Sequence, residues 1–211
     1  MTIVAFDFDG TISDSEMTVL LGEKQGVADE MAKSTQRAMN NEIEYAESLR
    51  ERVSLLSNLD EQDANDAFSQ VTLRPGAGDL IQELNENGIH TAILTGGFRR
   101  GVMSALEQAN VSVDTIVSNS VTIEDGKMTG EVEGPLIEGT KDDVLEKLAN
   151  EQDVSLAETI AVGDGANDLP MLKIAGLAVG FSPRPAVAPH CDVVVEDMTE
   201  LRELFVEENL L

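Results

Sequence analysis

The chain opens on an unbroken apolar run, Thr2 to Phe6, that stops at Asp7. A short apolar segment bounded by polar residues predicts a strand buried on both faces, as in a parallel sheet. From Ser15 to about Val71 the pattern changes. Met17, Leu20 and Leu21, then Val27, Met31 and Met39, then Leu49, Val53 and Leu56 recur at helical spacing, with no strand signal between them. Arg74-Pro75-Gly76 punctuates the end of this stretch. Afterwards helical and strand patterns alternate: a helix from Gly76 to Asn87 stopped by Gly88, a strand from Thr91 to Leu94, a helix from about Arg99 to Ala109, and a strand from Thr115 to Ser118. The rhythm resumes with a helix from Lys141 to Asn150, a strand from Thr159 to Val162, a helix from Leu169 to Ala175, strands Leu177–Val179 and Val193–Val195, and a last helix from Thr199.

Alternating β and α segments predict an α/β fold with a doubly wound parallel sheet, a Rossmann-like core covered by helices on both faces. One segment breaks the rhythm. Val121–Ile123 and Met128–Val132 flank Asp125-Gly126, a dipeptide that favours a tight turn, so a small β hairpin is expected there. The core then comprises residues 1–14 and 74–211, and residues 15–73 form a helical cap inserted after the first strand.

Composition narrows the function classes. The 211 residues include 40 acids against 14 lysines and arginines, for a net charge of −26. Such a surface repels nucleic acid and anionic membranes, and no apolar run approaches the roughly 20 residues of a membrane span. The acids are spread over the whole length, which predicts a charged surface suited to high salt and a salt-loving source. Cys191 is the only cysteine, so no internal disulfide is possible and a cytoplasmic location is expected. Asp7 and Asp9 come too early to leave room for a cleavable leader, so the mature protein is expected to begin at or near Met1.

Open parallel sheets bind ligands beyond the carboxyl ends of their strands, so the loops there are read together. They hold Asp7-Phe8-Asp9-Gly10-Thr11, Thr95-Gly96-Gly97, Lys141 before a helix, and Gly163-Asp164-Gly165-Ala166-Asn167-Asp168. Carboxylates from distant segments repel one another unless a cation joins them, and an all-oxygen site suits Mg²⁺. Asp7 and Asp9, two apart, can divide labour: one attacks a phosphoryl group to give an aspartyl phosphate, the other moves the proton. Lys141, Thr95 and backbone N–H groups around Gly96 would hold the transferring oxygens. A calcium loop is disfavoured by Thr11 at the next ligand position. A dinucleotide loop is disfavoured because Asp164 and Asp168 would repel pyrophosphate. Taken singly, Asp7-x-Asp9 could be a cluster of loop acids and Lys141 a solvated surface lysine; order and context argue otherwise.

These four ordered segments resemble the motifs of haloacid dehalogenase superfamily phosphatases over essentially the whole chain. Within that superfamily the resemblance is strongest to the phosphoserine phosphatase branch. Glu16, Met39, Tyr45-Ala-Glu-Ser-Leu-Arg-Glu-Arg-Val53, Leu94-Thr-Gly-Gly-Phe98 and Asp125-Gly-Lys-Met-Thr-Gly-Glu-Val-Glu-Gly134 carry it. The resemblance implies Asp7 as nucleophile and Asp9 as general acid/base. It implies Mg²⁺ on Asp7, Asp9 (through its backbone carbonyl) and Asp164, with Asp168 in the metal's outer shell. Thr95 and Lys141 would bind phosphate, with Asn167 nearby. The implied substrate is a small phosphorylated metabolite, O-phosphoserine. Glu16 would pair with its ammonium, Arg52 would take its carboxylate as a two-pronged donor, and Met39 would pack on its side chain. Arg50 has the same chemistry as Arg52 but lies about 200° away around the helix. A capped phosphatase or phosphotransferase for another small phosphomonoester is the nearest alternative. A phospho-aspartyl receiver domain is a different class, which the cap argues against.

Overall fold

The computed structural model describes residues 1–40, 42–138 and 140–211. Among them seven strands form one sheet: β1 (Ile3–Phe6), β2 (His90–Phe98), β3 (Thr115–Glu124), β4 (Lys127–Glu133), β5 (Thr159–Gly163), β6 (Leu177–Phe181) and β7 (Val193–Val195). Their spatial order is β4-β3-β2-β1-β5-β6-β7, and all neighbours are parallel except β3 and β4. The opening apolar run becomes β1, near the middle of the sheet. Its alternate residues feed two cores: Val4 and Phe6 face one side, Ile3 and Ala5 the other. On the second side lie α7 (Lys141–Glu151), through Leu145 and Leu148, and α8 (Leu169–Ile174), through Met171 and Leu172. On the first side lie α5 (Ala77–Glu86), α6 (Arg99–Ala109) and α9 (Met198–Glu207), and the Phe6 and Phe205 rings meet edge to face at 6.4 Å.

Between β1 and β2 the chain forms α1 (Met17–Gln25), α2 (Ala28–Met39), α3 (Tyr45–Ser54) and α4 (Glu61–Phe68). Met17, Leu21, Met31, Leu49 and Phe68 from these helices belong to the same apolar cluster as Phe6 and Phe98 of the sheet. Besides side-chain contacts from α6, where Arg100 bonds Glu61 and Asn65 and Gln108 the Ser69 and Val71 carbonyls, the insert is tied at its two ends. At its root, Ser13 Oγ donates to the Thr72 carbonyl at 2.7 Å and Arg74 N–H to Ile12 at 2.9 Å, so the entering and leaving chains run side by side. At its far end, backbone bonds Asn58 N–H to Met128, Met128 N–H to Leu59 and Glu61 N–H to Gly126, all 2.8–2.9 Å, clamp the α3–α4 connection onto the β3–β4 hairpin.

Most elements differ from the pattern-based reading by a residue or two at their ends, β6 for example running on to Phe181, and three differences have a clear structural cause. The strand expected to stop at Leu94 continues as β2 to Phe98 because pairing resumes: Thr95 faces Ser118 and Phe98 faces Asn119, leaving Gly96 and Gly97 as an unpaired bulge. The segments Thr115–Ser118 and Val121–Ile123 are one strand, β3, which pairs with β2 along its first half and with β4 along its second. Helix α9 begins at Met198, a residue earlier than expected, because the Asp197 carboxylate accepts from Thr199 N–H and Glu200 N–H and caps it.

No described helix is long and apolar enough to cross a membrane. With a net charge of −26, self-repulsion should govern stability. Screening shortens the Debye length from about 10 Å in 0.1 M salt to about 3 Å in 1 M. The thermal unfolding midpoint is therefore expected to rise between about 0.1 and 1 M KCl at fixed divalent concentration. A flat or falling midpoint would show that the acidic surface is not salt-adapted.

Candidate active site

The chemistry-bearing loops converge at the carboxyl edge of the sheet. Asp7 follows β1, and its N–H donates to Val162 of β5 at 2.8 Å. Lys141, the first residue of α7, is buried despite its charge, with Nζ 2.5 Å from Asp7 Oδ1 and 2.6 Å from Asp168 Oδ1. The other Asp168 oxygen accepts from Asp164 N–H at 3.0 Å and Gly165 N–H at 2.9 Å. Asp168 thus fixes both Lys141 and the turn that presents Asp164. Thr11 Oγ1 donates to Asp164 Oδ1 at 3.4 Å.

Asp9 and Thr95 face each other across the β2 bulge. Met17 N–H donates to Asp9 Oδ1 at 3.1 Å, holding the carboxyl at the start of α1. Its Oδ2 packs against Gly97, where an added Cβ would sit only 2.5 Å away, so this approach requires glycine. Thr95 Oγ1 accepts from Gly97 N–H at 2.9 Å, which leaves its hydroxyl proton to donate elsewhere. Asn119 pins the bulge from behind: its Nδ2 donates to the Gly96 carbonyl at 3.0 Å.

A cavity of about 30 Å³ lies over this edge, lined by Asp7, Asp9, Thr95, Gly96, Asp164 and Asn167 from the sheet side. Glu16, Met39, Tyr45 and Arg52 line it from the insert. Arg52 is buried. Its Nε donates to the Ser48 carbonyl at 3.2 Å, and Nη1 to Thr18 Oγ1 at 2.8 Å and Thr35 Oγ1 at 2.9 Å. Nη2 carries no protein hydrogen bond among the described residues. The expected two-pronged donor is therefore narrowed to one nitrogen and its two protons, the rest of the guanidinium being used to join α1, α2 and α3. Arg50 points elsewhere and pairs with Glu138 on the surface.

Burial raises the pKa of Asp7, Asp9, Asp164 and Glu16. Asp7 is pushed up to about 7 by burial and by Asp168, against the pull of Lys141. Asp9 is raised by burial, then by Glu16 and Asp7. Asp164 is raised by burial, then by Asp168 and Asp7. Glu16 is raised by burial, partly offset by Arg52 and Arg184. Burial opposes the charge on Lys141, but Asp168 and Asp7 outweigh it and hold the amine protonated. Five crowded acids against Lys141, Arg52 and Arg184 leave an excess of negative charge that a divalent cation would offset. Asp7, Asp164 and Asp168 place carboxylate oxygens within 4.8 Å of one another, an oxygen set suited to a hard metal ion. Asp168 has both oxygens committed already, and the Asp9 carboxyl lies outside this cluster.

All the side chains singled out in the sequence reach this one edge, with Lys141 and Asp168 behind Asp7 rather than in the cavity wall. Sequence reasoning gave no role to Tyr45, Asn119, Thr18 or Thr35. Thr18 and Thr35 lie on separate helices and gain meaning only once Arg52 joins them. Asn119 gave no signal either, since it sits in a polar run, Ser118-Asn119-Ser120, within β3.

Residues 4–173 match the family model of haloacid dehalogenase-like hydrolases. The chain is 49% identical over 201 residues to a phosphoserine phosphatase of Halobacterium salinarum, covering 95% of each chain. It is 36% identical over 203 residues to a phosphoserine phosphatase of Methanocaldococcus jannaschii, covering 96% of this chain and 95% of that one. The first of these comes from a halophile, in keeping with the acidic surface. Among solved structures the fold superposes on a phospho-aspartyl intermediate analogue of phosphoserine phosphatase with TM-score 0.91 and 34% identity, covering 96% of this chain and 98% of that one. A substrate-bound phosphoserine phosphatase complex gives TM-score 0.91 and 35% identity, covering 98% and 97%.

Proposed function

The chain belongs to the haloacid dehalogenase-like hydrolases, and we propose that it hydrolyses O-phosphoserine to serine and phosphate, the last step of serine biosynthesis, through an aspartyl phosphate. One observation carries the substrate assignment. The same small cavity that holds Asp7 on its sheet side is walled on the other by Glu16 and Arg52, an anion and a cation placed as a bound amino acid's ammonium and carboxylate would require. A plain phosphate pocket needs neither. We read residues 1–14 and 74–211 as the catalytic core and 15–73 as its cap. A cavity of about 30 Å³ holds only two or three waters. A shift of the cap helices over it would widen the space for a substrate.

In the first step the Asp7 carboxylate attacks phosphorus in line with the serine oxygen. Lys141 fixes one Asp7 oxygen, which orients the other for attack and offsets charge on the phosphoryl group. The P–O bond to serine breaks as the new P–O bond to Asp7 forms, and Asp9 gives its proton to the departing serine oxygen. Burial favours the protonated Asp9 that this step needs. The Thr95 hydroxyl and the Gly96 N–H hold the phosphoryl oxygens, and Asn167 borders them. In the second step Asp9 takes a proton from water, which attacks phosphorus and releases Asp7. Mg²⁺, held by Asp7, Asp164 and the Asp9 carbonyl with Asp168 in support, would neutralise phosphoryl charge throughout.

The test is phosphate release over a panel of small phosphomonoesters in molar salt with Mg²⁺. O-phosphoserine is expected to have the highest kcat/KM, and a preference for a phosphoester lacking the amine and carboxylate would reject the assignment. Asp9→Asn should slow both steps by about 10²–10⁴-fold while leaving the nucleophile in place. Wild-type turnover of this variant on an alkyl phosphate, whose leaving group needs the proton most, would remove Asp9 from its role.

A further inference from the structure

Tyr45 opens α3 on the insert, and its ring crosses to the sheet side of the cavity. A Cβ added at Gly96 would lie 1.7 Å from Tyr45 Oη and 2.7 Å from Cζ, so the hydroxyl rests directly on the bulge backbone, next to Thr95. That close approach is why the position needs glycine. No hydrogen bond joins this hydroxyl to any other described residue. It is not an orphan sealed in protein either, because among the described residues no fully buried side-chain oxygen or nitrogen lacks a partner, and Tyr45 lines the cavity. Burial pushes its pKa up to about 12, so it stays protonated at neutral pH. Tyr45 is half-buried, and its hydroxyl, open to the cavity and without a partner among the described residues, is free to bond a group that enters there.

We propose that the Tyr45 hydroxyl is a further substrate-contacting donor, carried by the cap, that gives its hydrogen bond to a phosphoryl oxygen. The inference rests on the phosphomonoesterase reading and deepens it. The phosphoryl end is favoured over the serine end by position. Oη sits on Gly96 beside Thr95, the two residues of the bulge that face the phosphoryl side; Arg52, Lys141, Asp7 and Asp9 all act on it electrostatically, so the charges alone do not choose the end. Glu16 and Arg52 already supply charges for the amino-acid end. Because α3 also carries Arg52, the same helix would touch the substrate at both ends, and a misplaced cap would be felt at phosphorus as well as at the carboxylate.

The experiment is Tyr45→Phe, which removes one oxygen and keeps the ring. It is read by kcat/KM on O-phosphoserine and on a phosphomonoester without amine or carboxylate, and by the affinity of inorganic phosphate measured calorimetrically. The expected result is an equal loss on both esters, about three- to tenfold for one hydrogen bond, with phosphate affinity reduced by a similar factor and the thermal midpoint unmoved. Unchanged kcat/KM and phosphate affinity would overturn the proposal, as would a loss confined to O-phosphoserine, which would move the contact to the serine end. If the wild type hydrolysed no panel member, the functional reading would fail. Phosphate affinity would still decide whether Tyr45 touches a phosphoryl group.

Discussion

Asp7→Asn is expected to reduce turnover of O-phosphoserine by at least about a thousandfold, equivalent to about 4 kcal/mol of barrier, since a neutral amide cannot form the acyl phosphate. The fold should survive. Asparagine keeps the shape, Lys141 keeps Asp168, and the substitution removes one of several crowded acids. Linkage gives a second readout on the metal-free protein. Asp7 has its pKa raised from 3.8 to about 7, so between those values the folded state holds a proton that the unfolded state has lost. This carboxyl therefore makes the fold less stable as pH rises through that window and more stable as pH falls. The dependence should be shallower in Asp7→Asn. Beryllofluoride, which mimics an aspartyl phosphate, should bind wild type and not the variant. Normal turnover by Asp7→Asn would remove the covalent mechanism.

Arg52→Ala should cost about 2 to 5 kcal/mol in kcat/KM on O-phosphoserine, roughly thirtyfold to several-thousandfold, because the substrate carboxylate would be left buried without its cation. A phosphoester without a carboxylate should suffer much less. The second role of Arg52 complicates a simple reading, since its Nε and Nη1 join Ser48, Thr18 and Thr35. Loss of those bonds would lower the unfolding midpoint and affect every substrate alike. Selectivity is thus the decisive measurement: uniform loss on both esters would mean that Arg52 serves cap structure or phosphate, not the carboxylate.

The site was legible in the sequence where its parts are contiguous. Asp7-x-Asp9 and Gly163–Asp168 each follow an apolar run, and a strand end at the carboxyl edge of a parallel sheet is a position that pattern alone supplies. The bulge was half legible. Thr95-Gly96-Gly97 reads as a break, but only the pairing of Phe98 with Asn119 shows that the strand resumes beyond it. The burial of Lys141 was not legible from local sequence, because a lysine at a helix start is ordinarily solvated. Its depth is set by Asp7 and Asp168, which come from other loops. Tyr45 is the clearest case of what pattern cannot supply. In sequence it is an amphipathic residue at the start of a helix, and its significance rests on where the hydroxyl lands, against Gly96 on a strand about 50 residues away.

The clamp between the α3–α4 connection and the β3–β4 hairpin bears on how such proteins can be rebuilt. An insert joined only at its root would be an exchangeable module, replaceable between Ser13 and Thr72 to graft a new substrate preference onto the same core. Here Asn58, Leu59 and Glu61 are hydrogen-bonded to Met128 and Gly126, more than 60 residues further on. The unit of exchange is therefore discontinuous. A chimera that replaced the insert alone would strand the hairpin's backbone groups without partners, whereas one that moved residues 15–73 together with 120–134 would keep those backbone bonds and leave the α6 contacts of Arg100 and Gln108 to be matched.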